Sequence, residues 1–181
     1  MEGNRESAEE VSKSILFVSW RKPVIGWVKH NVDGSSIGNS GPFGGGGVIR
    51  DHYGNLVVSL CVKYGHGSNN EVELRAVIFG VELCKEMVFQ GVEIECDSAV
   101  VVNWFTHNLC KIWYLWDYWD ELLNLLSGIS FTISHQYRED NRAADLLANG
   151  LMMRYMHLDQ IPKLLRGIIH MNKLGFPNIR Q

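Results

Sequence analysis

The sequence lacks long apolar runs, clustered cysteines and an excess of positive charge, each of which would mark a special class of protein. No apolar run reaches the roughly 20 residues that a membrane span needs, so no membrane partner is expected. The formal net charge of −3 excludes a basic field over the whole molecule. Four widely spaced cysteines match neither a zinc spacing nor a disulfide scaffold: Cys61, Cys84, Cys96 and Cys110. We therefore expect a soluble intracellular protein with buried free thiols, in the nucleus or the cytoplasm.

The length and composition indicate one domain with extensions at both ends. An apolar content of 46% in 181 residues is ample for one buried core. The first residues, MEGNRESAEE, are polar and acidic, unlike a signal or transit peptide. We predict a flexible tail over residues 1–19, a domain over residues 20–156, and a C-terminal extension over residues 157–181 that packs on the domain or on a partner.

Alternating apolar and polar residues predict five strands. The first ends at Asp33 in GWVKHNVD, and the glycine-rich GSSIGNSGPFGGGG after it predicts a hairpin loop with close backbone approach. The other strands are predicted over residues 46–51, 56–64, 92–96 and 129–135. Three antiparallel strands followed by helical crossovers predict an α/β fold, with a mixed five-stranded sheet flanked by helices.

Two predicted helical segments have distinctive apolar patterns. The first helix, capped by Asn69 or Asn70 and running to about Phe89, is apolar almost all round, which predicts that it is buried. In residues 109–126, aromatic residues and leucines at helical spacing predict a core face: Trp113, Trp116, Leu122 and Leu126. Stacking of nucleic-acid bases on the tryptophans is the alternative.

Four acidic residues stand at predicted strand ends or near predicted helix starts. Asp33 ends the first strand, and Asp97 follows the fourth strand where the next helix begins. Glu73 lies near the start of the first long helix, and Asp145 lies about one turn into the last, after Asn141 as its cap. Each acid has a local explanation: a helix cap for Asp97, a capping-box partner for Glu73, and a favourable helix N-terminus for Asp145.

A shared sheet edge would give these carboxylates a chemical role. If the strands that end at Asp33 and Asp97 are neighbours, all four acids can reach the same edge. Mg²⁺ prefers oxygen ligands, and two such ions about 4 Å apart suit phosphodiester cleavage. His135, at the end of the fifth strand, could shuttle a proton there, and a surface or structural role is the alternative.

Five stretches together resemble type 1 ribonuclease H: NVDGSS, GGGGVIRD, SNNEVELRA, ECDS and HQYREDNRAADLLA. They are most similar to the plant branch of RNase H-like domains, which is often found in retroelement-derived, reverse-transcriptase-associated reading frames. The resemblance covers about residues 20–156 in the same order and spacing. It implies an RNase H fold and an endoribonuclease that cleaves the RNA strand of an RNA–DNA hybrid.

The resemblance also implies roles for nine residues. The family's four metal-binding acids, which hold two Mg²⁺ ions for which Mn²⁺ can substitute, match Asp33, Glu73, Asp97 and Asp145. The histidine that assists turnover matches His135. Contacts with the nucleic-acid backbone and the minor groove, where the 2′-OH distinguishes RNA from DNA, match Gly34, Ser35, Asn69 and Asn70.

Three departures from the family pattern leave other functions open. Ala99 stands where bacterial relatives often carry glutamine, Glu71 stands where some carry a basic residue, and tryptophans replace the basic protrusion within residues 99–126. One alternative is a weakly active or inactive module, derived from a mobile element, that binds nucleic acid or protein. Another is a nuclease for a different substrate, such as structured DNA. An oligomer could form through the Trp-rich segment, residues 109–126, or through the C-terminal extension.

Overall fold

The computed structural model describes residues 16–36, 42–149, 154–157 and 160–180, so most of the predicted N-terminal tail lies outside the described residues. The strands are β1 (Leu16–Val18), β2 (Val28–Ser36), β3 (Pro42–Arg50), β4 (Leu56–His66), β5 (Gly91–Cys96), β6 (Ser130–His135), β7 (Arg154–Met156) and β8 (Asn178–Arg180). The helices are α1 (Asn69–Glu86), α2 (Ala99–His107), α3 (Trp116–Leu126), α4 (Arg142–Ala148) and α5 (Lys163–Lys173). Among the described residues, no helix is both long enough and apolar enough to span a bilayer.

The main sheet has the strand order β6-β5-β2-β3-β4-β7. Strands β2, β3 and β4 form an antiparallel meander, while β5 runs parallel to β2 and β6 runs parallel to β5. The mixed five-stranded sheet predicted from the sequence is therefore confirmed. The three-residue strand β7 adds a sixth member beside β4.

Helices cover both faces of this sheet. One apolar cluster joins the sheet to α1, α2 and α3, and a smaller one joins it to α4 and α5. Glycines in β3 let helices approach from both sides: a Cβ on Gly45 would lie 2.7 Å from the Cβ of Ala76 in α1, and one on Gly46 would lie 2.1 Å from the backbone nitrogen of Ala148 in α4. Part of the glycine-rich run that was predicted as a hairpin loop thus belongs to a central strand.

Helix α1 begins as predicted, but with a different cap. Ser68 occupies the cap position, and its hydroxyl accepts a hydrogen bond from the backbone N–H of Glu71 at 3.3 Å. Asn69 is the first helical residue, so the prediction that Asn69 or Asn70 caps the helix was wrong. The helix ends at Glu86, and most of its side chains are buried, as the pattern predicted.

The Trp-rich segment is oriented differently from the prediction. Trp113 lies in a short 3₁₀ turn and is 75% exposed, and Trp116, the first residue of α3, is 56% exposed. The buried side chains of this segment are Leu115, Trp119, Leu122 and Leu126. The predicted core face was therefore wrong for two tryptophans. Trp113 lies in the 3₁₀ turn, outside the helical spacing of α3. Trp116 begins α3 but lies about a third of a turn around the helix from Leu122.

Residues 163–180 of the predicted C-terminal extension pack on the domain. Leu165 and Ile169 of α5 are buried in one cluster with Val48 of β3 and Leu147 of α4. Strand β8 pairs antiparallel with β1 in a separate two-stranded sheet. The boundaries proposed for the tail, domain and extension stay predictions. The four cysteines are free and buried, as predicted.

Candidate functional site

The parallel pairing of β2 and β5 brings two of the predicted acids together. Val32 lies opposite Cys96 in the register of the two strands, so the next residues, Asp33 and Asp97, lie side by side where the pairing of β2 with β5 ends. Strand β2 itself continues to Ser36, with Asp33 still paired to β3, so the prediction that the strand ends at Asp33 was wrong. Asp33 is only 3% exposed, and its carboxyl group is close enough to that of Asp97 for the charge of Asp97 to raise its pKa further than burial does alone. The crossover connection is the physical cause, because parallel neighbours end at the same edge.

Glu73 reaches this edge from the first turns of α1. Its carboxylate is buried and accepts a hydrogen bond from the backbone N–H of Gly34. A Cβ on Gly34 would lie 2.9 Å from the backbone nitrogen of Glu73, so glycine is required for α1 to come this close. With Ser68 as the cap, the capping-box position belongs to Glu71, whose carboxylate lies 3.3 Å from the guanidinium of Arg75. The capping-box explanation of Glu73 is therefore wrong.

The thiol of Cys96 is a member of the cluster that sequence reasoning missed. Its Sγ donates to Oε2 of Glu73 at 3.4 Å and accepts from the backbone N–H of Ser98 at 3.3 Å. One ligand atom each from Glu73, Cys96 and Asp97 lie within 4.8 Å of one another. The alternation of VEIEC predicted that Cys96 faces the core, but not that a carboxylate of α1 meets it there.

Asp145 stands at the margin of the cluster. It is half-buried in α4, and the guanidinium of Arg138 donates to its Oδ1 through Nε, at 3.0 Å, and through Nη2. The side-chain amide of Asn149 also donates to Oδ1, at 3.2 Å, and accepts from the hydroxyl of Ser35 at 2.7 Å. The sequence predicted the place of Asp145, but Arg138 was not identified, although both lie in the same short stretch.

Helix α4 is held against β2 by Asn141. This residue occupies the cap position of α4 as predicted, but its side chain makes no capping hydrogen bond. Its amide nitrogen instead donates to the carbonyl oxygen of Val32 at 2.7 Å, one residue before Asp33. The side chain of Asn141 therefore connects the start of α4 to the part of β2 that carries Asp33.

Burial and mutual repulsion favour protonated carboxyl groups in the metal-free cluster. Burial, followed by the charges of Asp97 and Asp145, raises the pKa of Asp33 to about 8. Burial also raises the pKa of Glu73 well above its ordinary value, with further contributions from Asp97 and Asp33. Two carboxyl groups at this edge therefore resist ionisation unless a positive charge joins them.

The oxygen atoms of the cluster fit divalent cations. Within the described part of the chain, Oδ2 of Asp33 and Oδ1 of Asp97 are buried and have no hydrogen-bond partner. An unpaired buried polar atom is costly, and a cation would satisfy both atoms and lower the repulsion. A set of carboxylate oxygens is what Mg²⁺ prefers.

The remaining predicted residues surround the acids. His135 is exposed at the end of β6, and its Nε2 lies 3.1 Å from the carbonyl oxygen of Asp97. Gly34 and Ser35 continue β2 beyond Asp33, and Asn69 and Asn70 occupy the first turn of α1. All nine predicted residues thus lie on elements that meet at or beside one edge of the sheet, although their functional roles stay predictions.

Comparison with known proteins gives a consistent set of relatives. A family model described as "Reverse transcriptase-like" matches residues 31–150. A curated Arabidopsis thaliana protein named "Putative ribonuclease H protein" is 32% identical over an alignment of 166 residues that covers 87% of this chain. The chain spans only 26% of the length of that plant protein.

Solved structures of type 1 enzymes have the same fold. RNase H1 from the halophilic archaeon Halobacterium salinarum matches with a TM-score of 0.65 and 30% identity, over 68% of this chain and 95% of that one. LC11-RNase H1, solved in complex with an RNA/DNA hybrid, matches with a TM-score of 0.63 and 27% identity, over 67% of this chain and 94% of that one.

Proposed function

This chain belongs to the reverse transcriptase-like family of RNase H-like domains, and we propose that it is a metal-dependent endoribonuclease that cleaves the RNA strand of RNA–DNA hybrids. The observation that carries the proposal is the convergence of buried acids at one sheet edge, with two carboxylate oxygens left without a partner. Such unpaired charge is costly for stability, and a catalytic cation site explains why it is there.

The residues that would hold the cations are Asp33, Glu73, Asp97 and Asp145. When two Mg²⁺ ions, or Mn²⁺ in their place, are bound by such carboxylates, they activate the attacking water and stabilise the leaving oxygen of a phosphodiester. Ligand atoms of Glu73 and Asp97 lie within 4.8 Å of each other, and Asp33 is within electrostatic range of Glu73, Asp97 and Asp145. We assign the metal set on this arrangement.

Other side chains of the same edge bind the substrate and move protons. His135 is exposed and stands beside the backbone of Asp97, where its imidazole can accept or donate a proton during cleavage and product release. The sugar-phosphate backbone of a hybrid would pass beside two pairs of residues. These are Gly34 and Ser35, which follow Asp33 in β2, and Asn69 and Asn70, in the first turn of α1. The amides and the hydroxyl can hydrogen-bond the 2′-OH groups of the RNA strand.

A cleavage assay with a labelled hybrid tests this function. With Mg²⁺ present, we expect cleavage by the parent protein and a loss of at least about a hundred-fold for Asp97→Asn, because an amide binds the cation far more weakly than a carboxylate. Asp120→Asn on the exposed side of α3 is the matched control and should cleave like the parent. No cleavage by the parent, or equal cleavage by Asp97→Asn, would reject the mechanism.

A module that binds nucleic acid or protein without cleavage is the second candidate. Exposed acids on α3, among them Asp117, Asp120 and Glu121, stand in the region where a basic protrusion would support substrate binding. A protein that binds a hybrid without metal, shows no Mg²⁺ affinity by calorimetry and never cuts it would favour this candidate. Competition among hybrid, duplex RNA and duplex DNA tests the remaining option, a nuclease with another substrate.

Location and assembly also belong to the proposal. A nuclear or cytoplasmic location stays a prediction from the composition. The exposed Trp113 and Trp116 keep the Trp-rich segment a candidate for self-association, and sedimentation at two protein concentrations would test it.

A further inference from the structure

One loop connects two residues of the proposed active site. The 136–141 loop joins β6, which ends at His135, to α4, which carries Asp145. The loop is closed by its own backbone, since the N–H of Asp140 donates to the carbonyl oxygen of Tyr137 at 2.9 Å. Any displacement of this loop would therefore move both His135 and the start of α4.

Strand β8 contacts this loop at two places. The guanidinium carbon of Arg180 lies 3.8 Å from the ring centroid of Tyr137, whose ring stands edge-on to the imidazole of His135 at 5.7 Å. The side-chain amide of Asn178 donates to Oδ1 of Asp140 at 2.9 Å. Arg142, the first residue of α4, also lies within hydrogen-bonding distance of Asn178, at 3.4 Å. The strand therefore touches the loop near its beginning and near its end.

Strand β8 is itself fixed to the rest of the molecule. Helix α5, which precedes it, buries Leu165 and Ile169 in the core, and Asn172 accepts a hydrogen bond from the buried Arg50 at 3.1 Å. Pairing with β1 holds β8 on its other edge. The family model matches residues 31–150, so β1, α5 and β8 lie outside the matched region, although Arg50 lies inside it.

We propose that β8 acts as a brace for the 136–141 loop, with Arg180 and Asn178 as positioning residues for His135 and Asp145. The contact types suit this role, because a guanidinium stacked on an aromatic ring and an amide–carboxylate hydrogen bond both require one orientation of the partner. A loop holds functional side chains in precise positions only when its supporting contacts are rigid. The catalytic part of this inference rests on the proposed function, whereas the mechanical part does not.

Hydrogen exchange followed by mass spectrometry tests the mechanical part without reference to activity. Arg180→Ala and Asn178→Ala should each raise amide exchange in the 136–141 loop by about two- to five-fold, and the exchange of β5 should stay unchanged. Lys163→Ala, which removes an exposed cation of α5, is the matched control and should leave the loop unchanged. Unchanged loop exchange in both brace variants would overturn the proposal.

Cleavage kinetics with a labelled hybrid test the positioning of the active site. We expect Arg180→Ala to lower kcat by about two- to five-fold with little change in KM, and Arg180→Lys, which keeps the charge but not the planar group, to behave alike. Tyr137→Phe keeps the aromatic ring and should retain the parent kcat. Equal kcat for Arg180→Ala and the parent would overturn the positioning role. A parent protein without cleavage would reject the proposed function, and the exchange result alone would then decide the brace.

Discussion

One face of strand β2 carries buried polar side chains at two places, and their charges are compensated differently at each. Lys29 and Asn31, in the middle of the strand, belong to a network in which positive and negative groups are paired. Asp33, two residues later on the same face, meets other acids and keeps one oxygen without a partner. The difference separates buried charge that supports the fold from buried charge that requires a ligand.

The middle network is balanced by residues from distant segments. Lys29 pairs with Glu93 at 3.2 Å and with Glu95 at 2.5 Å, and Asn31 donates to the same Glu95 at 2.8 Å. Arg50, fully buried, donates to Asn31 and stacks on Trp20, with its guanidinium carbon 3.6 Å from the ring centroid. Two cations and two carboxylates lie together here, so their desolvation is offset by ion pairs and hydrogen bonds, although Nε of Arg50 has no hydrogen-bond partner among the described residues.

The charges around Asp33 are not paired in this way. Four carboxylates face one guanidinium, that of Arg138, which contacts only the most peripheral of them. Natural proteins rarely keep buried acids in this state unless a cation or a proton occupies the site. The contrast along β2 therefore marks the surroundings of Asp33 as the functional part of the strand, and three experiments test this interpretation.

The largest expected effect is on the middle network. Replacing Arg50 with alanine leaves Glu95 and the amides of Asn31 and Asn172 incompletely paired in the core. We expect the free energy of unfolding to fall by about 3–5 kcal/mol, as for other broken buried pairs, measured by urea denaturation. Arg21→Ala, at an exposed arginine, should change it by less than about 0.5 kcal/mol. A loss below about 1 kcal/mol for Arg50→Ala would mean that the network contributes little.

Replacing Asp33 should have the opposite effect and raise the free energy of unfolding. Burial raises the pKa of Asp33 to about 8, so the folded protein holds a proton there that the unfolded chain releases near pH 4, at an ordinary pKa of about 4. In EDTA, this group therefore makes the free energy of unfolding fall as the pH rises from about 4 to about 8. Asp33→Asn removes this penalty and should be more stable than the parent at pH 8 by about 1–3 kcal/mol.

Denaturation in urea across that pH range checks the prediction. The two proteins should converge below about pH 4, where the parent carboxyl group is protonated in both states. Asp120→Asn should follow the parent at every pH. A parent more stable than Asp33→Asn at pH 8 without metal would contradict the interpretation that this acid is uncompensated.

The smallest effect is expected for Arg138, the cation that contacts Asp145. The side chain of Arg138 is 67% exposed, so Arg138→Ala should change the free energy of unfolding by less than about 1 kcal/mol. Because its guanidinium occupies the carboxylate of Asp145, the variant should bind Mg²⁺ about two- to five-fold more tightly, measured by calorimetry. Weaker binding would instead assign the arginine a supporting role in the metal site.

Several parts of the site followed from local patterns. The alternation in VEIECDS correctly placed Asp97 just after a strand, whereas Asp33, predicted to end its strand, lies within β2, which continues to Ser36. The sequence left open whether the two strands are neighbours, and only the sheet pairing settled it. The resemblance to ribonuclease H then selected Glu73 and Asp145 from the other acids. The position of Glu73 near the helix start allowed two roles, a capping-box partner or a member of the acidic site. Only the finding that Ser68 caps the helix excluded the capping-box role.

Other parts depended on contacts between distant segments. The thiol of Cys96 beside Glu73, the stacking of Arg180 on Tyr137 and the burial of Arg50 join residues that no local spacing relates. The prediction that Trp113 faces the core was wrong for a related reason, because helical spacing predicts a face only while the helix continues, and Trp113 lies in the 3₁₀ turn before α3.

Local sequence patterns were enough to predict the order of the main strands and helices along the chain and which acids lie near their ends. Side-chain periodicity and turn chemistry act over only a few residues, so a single sequence contains them. The tertiary structure alone decided which charges are paired, which carboxyl groups resist ionisation and which segment supports the 136–141 loop. Desolvation and ion pairing depend on everything that surrounds a group in space, and those neighbours come from segments tens of residues away along the chain.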